Sequence, residues 1–404
     1  MTHRIAFLSR PKTIGVAGIA LGLTAFWVTL PPLVARSLLW PALLGILAIA
    51  AGIWVIGRGH RRVGLGAVAA GILGIAFGLL ATRSSVSHLD IVVVWSALLA
   101  SALRYATPLT FAAIGGMFSE RSGVVNIGLE GMMLMGAFFG FWGADRTNSW
   151  MLGLVIAMLA GSGLALVHAF FSIHLRADQI VTGTAINFLA LGITGYFFIN
   201  SYGDQGTPTD VPSVPNVHFT ALRHVPPHDL GSFLDGLFGD LNFLIWLSFF
   251  VIVASYVVMF KTPIGLRIRA VGEHPRAADT VGISVYKVRY AAVLVSGALA
   301  ALGGAYLSIG FLHLFDQNLT GGRGFIALAA LIFGKWRPFG AFSAALLFGF
   351  SSALGDRLPE YFAQGSSAPQ LFNALPYVLT LIAVAGVIGR STPPAAVGRP
   401  YVKQ

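Results

Sequence analysis

Long uncharged apolar runs decide what this chain can fold into. They lie near residues 14–34, 38–56, 63–81, 91–117, 123–143, 151–173, 179–199, 241–260, 288–311, 324–334, 338–353 and 372–389. Crossing about 30 Å of hydrocarbon takes about 20 helical residues, and most of these runs reach that length. Only 10% of the residues are charged, where a soluble domain carries about a quarter. The pattern predicts an all-α polytopic membrane protein of about 10–12 transmembrane helices. The run 324–334 is too short to span alone and predicts a broken or re-entrant helix. Arg104 and Pro108 lie inside 91–117, which is expected to bend or break there.

The loops set an orientation. Arg4, Arg10 and Lys12 precede the first run, and Arg58, Arg61 and Arg62 follow the second. Lys261, Arg267, Arg269, Arg276, Lys287 and Arg289 crowd the loop 261–287 and its edge. Lys335, Arg337, Arg390, Arg399 and Lys403 continue the series. The loop 201–240 has the opposite character, with five aspartates, five prolines and Arg223. Basic loops stay in the cytosol, so both termini are expected there and 201–240 outside. That long loop is expected to hold little regular structure beyond a short helix at 230–238. The formal charge of +11 belongs to these loops and does not point to nucleic acid. The start does not resemble a cleaved signal peptide, because its apolar run is too long.

Residues 1–87 are rich in Gly, Ala, Leu and Ile, and their spans contain almost nothing polar. They read as additional N-terminal transmembrane helices facing lipid. Polar residues enter the apolar runs from Ser96 onward, so 88–390 reads as a transport core, followed by a cytosolic tail, 391–404. Several chemistries are excluded or disfavoured. There is no cysteine and no G-x-x-x-x-G-K-[ST] loop. No His-rich metal constellation or paired-acid motif appears, so no catalytic residue and no metal site is expected.

Three stretches exceed what hydropathy needs. Ser119–Gly131, SERSGVVNIGLEG, places Glu120, Arg121, Asn126 and Glu130 between apolar runs, where ionisable groups are expensive. Its small residues, Gly128 among them, permit turns and close backbone approach. Asn126 and Glu130 are four apart and share a face if the stretch is helical. Gly265–Ser284 offers Pro275 at a helix start and Gly282 at its stop. Between them Ala277, Ala278 and Val281 make a small apolar face, and Arg276 and Asp279 can pair. Such a helix presses on a soluble partner, or the loop simply meets anionic lipid. Gly321–Gly340 places Arg323 and two glycines before the short run, a pattern for a half-helix of the kind that forms sites in transporters.

With ADQIVTGTAINFLALGITGY at 177–196, SERSGVVNIGLEGMMLMGAFFG, VGEHPRAADTVGI and GRGFIALAALIFGKWRPFG closely resemble the signatures of permease subunits of bacterial ABC importers for nucleosides and simple sugars. This is the branch served by binding proteins of the basic membrane lipoprotein type. The resemblance covers about 95–390, with four motifs in the family's order, and the Ser-Glu-Arg form at 119–121 looks more like nucleoside permeases.

The resemblance implies a permease subunit of the bacterial inner (plasma) membrane. Its partners would be a second permease (a related chain or another copy), a cytosolic ABC ATPase and an extracytosolic substrate-binding lipoprotein. ATP and Mg would sit on the ATPase, leaving this chain without a cofactor. Gly272, Glu273, His274, Pro275, Arg276, Ala277, Asp279 and Gly282 would carry the coupling helix that enters the ATPase. The expected solute-pathway residues are Asn126, Glu130, Thr184, Asn187 and Phe325. Thr184 and Asn187 are three apart, and an Asn amide suits a ribose or a base edge, though an interhelical hydrogen bond is an equal alternative. Glu120, Arg121, Gly128 and Arg323 are expected to shape the pathway. The family core has fewer helices, so the first spans look like an addition. Alternatives to a nucleoside solute are a simple sugar such as ribose or galactose, or an ion-coupled secondary transporter. The last calls for mid-span acids, and Glu130 is the only acid inside an expected span.

Overall fold

A computed structural model describes residues 11–28, 38–83, 95–203, 206–224, 228–357 and 392–403. The expected span 372–389 lies outside the described residues. Among the described residues, seven helices are long and apolar enough to cross a membrane, and Thr13–Phe26, Val63–Ala76 and Arg323–Phe333 are shorter apolar stretches. The protein is an all-α multi-pass membrane protein. It divides into two compact units, Met1–Leu99 with Ser351–Arg390, and Ala100–Phe350 with Ser391–Gln404.

In the first unit, α1 (Pro11–Val28), α2 (Leu39–Gly57) and α3 (Arg61–Arg83) pack pairwise. The buried face of α2 is small: Pro41, Gly45, Ala48, Gly52 and Val55. Its large side chains, Leu39, Trp40, Leu43, Ile46, Leu47 and Ile53, are exposed. This inverts a water-soluble helix. Lipid is as apolar as leucine, so small residues gather where backbones touch. At Gly52 an added Cβ would stand 2.6 Å from the Gly64 carbonyl oxygen.

The second unit begins within α4 (Trp95–Arg121). The expected break there does not occur, and the helix is continuous through Pro108. Proline is tolerated in membrane helices because neighbouring groups re-satisfy the freed backbone. A turn over 122–128 leads to α5 (Leu129–Thr147), which is buried along almost its whole length. The expected span at 123–143 therefore starts later, at Leu129. Gly123 has φ +94, which a helix does not accommodate. Against α5 pack α6 (Trp150–Ala169, widening into a π-type turn at Phe170–His174), α7 (Gln179–Tyr202) and α12 (Val285–Ala305, ending in a second wide turn, Tyr306–Leu312). The approach of α5 to α12 is backbone to backbone. A Cβ on Gly304 would overlap the Met133 carbonyl, and one on Gly136 would overlap Ala301.

The loop 201–240 is more regular than expected. β1 (Asn216–His218) pairs antiparallel with β2 (Asp240–Asn242), and α8 (His228–Phe238) lies between them. Phe219 and Phe238 pack on Trp246 at ring distances of 5.1 and 6.0 Å, which gives this segment an apolar anchor. α9 (Phe243–Lys261) follows, then α10 (Pro263–Glu273) and the short α11 (Pro275–Thr280) before α12. The half-helix α13 (Arg323–Phe333) and α14 (Pro338–Arg357) complete the described helices. Both expected signals of α11 act locally: Pro275 is its first residue, and Gly282 just beyond its end has φ +81.

Candidate functional site

The turn 122–128 is the meeting point of the second unit. Its Ser122, Gly123 and Val124 N–H groups donate back to the Ser119 and Glu120 carbonyls, and side chains satisfy much of the rest. Ser119 Oγ donates to the Val124 carbonyl at 2.8 Å. The Val125 N–H donates to Gln179 Oε1 at 2.7 Å, and the Val125 carbonyl lies 3.0 Å from His168 Nε2. Asn187 holds the far end, with Nδ2 donating to the Ile127 carbonyl at 3.1 Å and Oδ1 accepting from the Gly131 N–H at 2.8 Å. Asn126 turns inward, fully buried, and its Nδ2 donates to Ser296 Oγ at 2.9 Å. One turn is thus fastened to α6, α7 and α12.

The same stretch clamps both ends of α13. Glu130 is 7% exposed and stands at the N-terminus of the half-helix, where helical N–H groups lack partners. Its Oε1 accepts from Thr320 Oγ1 at 2.6 Å and from the Gly322 N–H at 2.8 Å, and Oε2 accepts from the Gly324 N–H at 2.5 Å. A carboxylate there also complements the positive end of the helix dipole. Gly324 permits the approach, since a Cβ would come 2.5 Å from the Glu130 Cα. Arg323 turns back, and its Nη1 donates to the Leu319 and Thr320 carbonyls at 3.1 and 3.2 Å. At the other end, Glu120 Oε2 accepts from Trp336 Nε1 at 2.5 Å, while Arg121 Nε and Nη2 donate to the Trp336 carbonyl at 3.1 and 3.0 Å. The pair Glu120–Arg121 therefore grips one residue by side chain and backbone together.

The pathway residues expected from sequence divide into two groups. Asn126, Glu130 and Asn187 come together with Gly128 in the turn, and each spends its polar atoms on other parts of the chain, apart from Asn126 Oδ1, which has no partner among the described residues. Asn126 and Glu130 do not share a face, because the stretch between them is not helical. Thr184 and Phe325 lie outside this cluster on exposed faces, Phe325 being 48% exposed. Thr184 bonds only to its own helix, at the Ile180 carbonyl. The sequence reading missed Gln179, His168, Ser296, Thr320 and Trp336. Gln179, Thr320 and Trp336 sit inside or beside the motifs. His168 and Ser296 are lone polar residues in apolar runs, a signal that was available.

The residues 272–282 form a second site. Ala278 is buried against Val271, Val285 and Tyr401, whereas Ala277 and Val281 point outward, so the apolar face expected there is split. Asp279 makes no ion pair with Arg276 among the described residues; its carboxylate lies beside the Tyr401 hydroxyl. Burial and the neighbouring Asp279 carboxylate push the Tyr401 hydroxyl up to about 12. Gly272 is buried against the Arg121 carbonyl, and Glu273, His274 and Arg276 are exposed. A cavity of about 490 Å³ opens between His274–Ala277 and the segment Ala395–Val402. Among the described residues, no group of three or more His, Asp or Glu is placed to hold a metal ion.

Residues 98–384 match the family model described as branched-chain amino acid transport system/permease component. The guanosine ABC transporter permease protein NupQ of Bacillus subtilis is 44% identical over 78% of this chain and 99% of its own length. The nucleoside ABC transporter permease protein NupC of Lactococcus lactis is 39% identical over 76% of this chain and 96% of its own. The putative glucose ABC transporter permease protein TsgC13 of Haloferax volcanii is 36% identical over 64% and 76%. No solved structure matches. Every expected site residue falls inside the matched region, and the chain belongs to this family: it is a membrane permease of an ABC transporter of the nucleoside and sugar-import type.

Proposed function

We propose that the chain imports nucleosides as one of two permeases in a complex with a cytosolic ABC ATPase and an extracytosolic binding lipoprotein. The observation that carries the solute class is the 44% identity, over nearly the whole of that relative, to a guanosine permease. The solute runs past the outward faces of α7 and α13, where Thr184 and Phe325 are exposed in the single chain. Asn126, Glu130 and Asn187 keep those faces in place. The positive end of α13 is occupied by Glu130, which suits a neutral solute better than an anion. The helix 275–280, with Gly272, Glu273, His274 and Gly282 around it, docks on the ATPase. Its outward residues Arg276, Ala277 and Val281 are free for that contact. Both termini lie in the cytosol, residues 1–87 are a peripheral addition, and 88–390 form the transport core.

A mechanism follows. ATP binding closes the two ATPases and moves the coupling helices. The rigid clamp around α13 carries that motion to the pathway faces, and the outward gap accepts solute from the lipoprotein. Hydrolysis resets the inward-facing state. A second reading, import of a simple sugar, is favoured by the 36% identity to a putative glucose permease. The test is solute uptake by the purified complex in proteoliposomes, with guanosine, adenosine, uridine and ribose supplied in turn. ATP-dependent uptake of nucleosides is the expected result. Uptake of ribose alone would move the chain to the sugar branch, and uptake abolished by an ionophore would sink the ATP-driven reading.

A further inference from the structure

The C-terminal segment is not a free tail. Ala396 and Tyr401 are 5% and 6% exposed, close to core values. The Ala396 N–H donates to the Gly272 carbonyl at 2.9 Å, and the Ala395 N–H donates to Glu273 Oε2 at 3.1 Å. Both contacts hold the residues that lead directly into the coupling helix. Two residues on, the Gly398 N–H donates to the Gly123 carbonyl at 3.3 Å, in the turn that organises the clamp. Gly398 has φ +75, so the crossing from one contact to the next depends on glycine. Tyr401 then packs edge-on against Tyr286 of α12 and buries Ala278 of the helix 275–280.

Arg289 fixes the crossing point from below. Its side chain is 1% exposed, with Nε donating to the Ser122 carbonyl and Nη1 to the Arg399 carbonyl, each at 3.2 Å. A buried guanidinium is costly. This one faces main-chain carbonyls, and it has no ion pair among the described residues. It joins the turn to the terminal segment through one planar group, a geometry lysine does not reproduce.

We infer that Ala395–Val402 is a coupling strap, pegged by Arg289, that fastens the helix 275–280 to the turn 122–125, so that a displacement of one reaches the other. The inference rests on the import reading and adds to it a positioning element outside the four motifs. Secondary contacts of this kind act by coupling two sites, and typical coupling energies correspond to roughly 5- to 150-fold effects.

The test uses the reconstituted complex with the native chain, a chain truncated after Pro394, and the full-length Ala396→Pro, which removes one strap donor. The readouts are ATPase co-purification and ATP hydrolysed per guanosine taken up. The truncated chain is expected to retain its ATPase while ATP per guanosine rises about fivefold or more, and Ala396→Pro to move the ratio in the same direction by less. An unchanged ratio in both variants overturns the strap, even if the yield of complex falls, because a merely structural tail would lower yield alone. Arg289→Lys covers the case in which the truncated chain fails to assemble; a native ratio there overturns the peg. A native complex without ATP-dependent uptake removes the import reading and the strap with it. A coupled native complex with indifferent variants removes the strap only.

Discussion

The bundle α1–α3 and the clamp around α13 are both tightly packed, yet they are held by different means. In the bundle, glycine and alanine bring backbones together and nothing polar joins the helices in the contacts described for α2. In the clamp, Glu120, Arg121, Glu130 and Asn187 reach across to elements far away in sequence. Close packing works wherever lipid is the solvent, and it asks only for small residues where backbones touch. Directional bonds from carboxylates and amides fix one arrangement, and they are expensive to leave half-made. A lipid-facing accessory needs only the first. A part that passes a displacement from the helix 275–280 to the faces of α7 and α13, as we propose for the clamp, needs the second.

The comparison can be broken most severely at Glu130. Glu130→Gln puts an amide N–H₂ where the Gly324 N–H or the Gly322 N–H and Thr320 hydroxyl now donate, so donors face donors. A loss of roughly 3 kcal/mol is expected for the packing of α13. It should register as a lower melting temperature of the purified chain and a collapse of nucleoside uptake. Retained uptake would show that α13 does not need its cap. Next comes Gly304→Ala on α12, which forces apart α5 and α12. A cost of about 1–3 kcal/mol is expected, seen by thermal unfolding in detergent. This shows that the core uses small-residue packing as well, beneath its polar bonds.

An effect of similar size on stability, and a smaller one on transport, is expected for Asn187→Ala. It leaves the Gly131 N–H and the Ile127 carbonyl without their partner, worth about 1–3 kcal/mol in total. Stability should fall while the apparent affinity for solute stays within about twofold, because the amide is spent on the turn. A large rise in KM with unchanged stability would return Asn187 to the pathway. The smallest effect belongs to the bundle. Gly52→Leu should disrupt α2 against α3, since a Cβ already meets the Gly64 carbonyl, yet uptake per folded complex should stay native. A deficit in uptake comparable to that of Glu130→Gln would erase the distinction between the two regions.

Much of this was readable from the residues themselves. The number and grain of the apolar runs announce a membrane protein, and Pro275 and Gly282 bound the helix 275–280 because their effects are local. Arg323 beside two glycines announces a broken helix. The partner of that break was not readable. Glu130 looked like a companion of Asn126, and only the non-helical backbone at 126–128 sends them apart. Thr184 and Asn187, three residues apart, are separated by about 60° around a helix. That is enough to expose one and engage the other when the buried face is narrow. The terminal strap was out of reach for a different reason. Every group it contributes to these bonds is a main-chain N–H or carbonyl, which carries no side-chain signature, and Arg289 looked like one more loop cation.

The most direct measurement is amide hydrogen exchange on the full chain in lipid nanodiscs, native against Glu130→Gln, followed at residues 322–326 and, as an internal reference, in α2. The clamp predicts that exchange at 322–326 accelerates by about two orders of magnitude, the equivalent of roughly 3 kcal/mol, while α2 stays native. Unchanged exchange at 322–326 would contradict the claim that Glu130 holds the start of α13, and with it the account of how this permease keeps its broken helix in place.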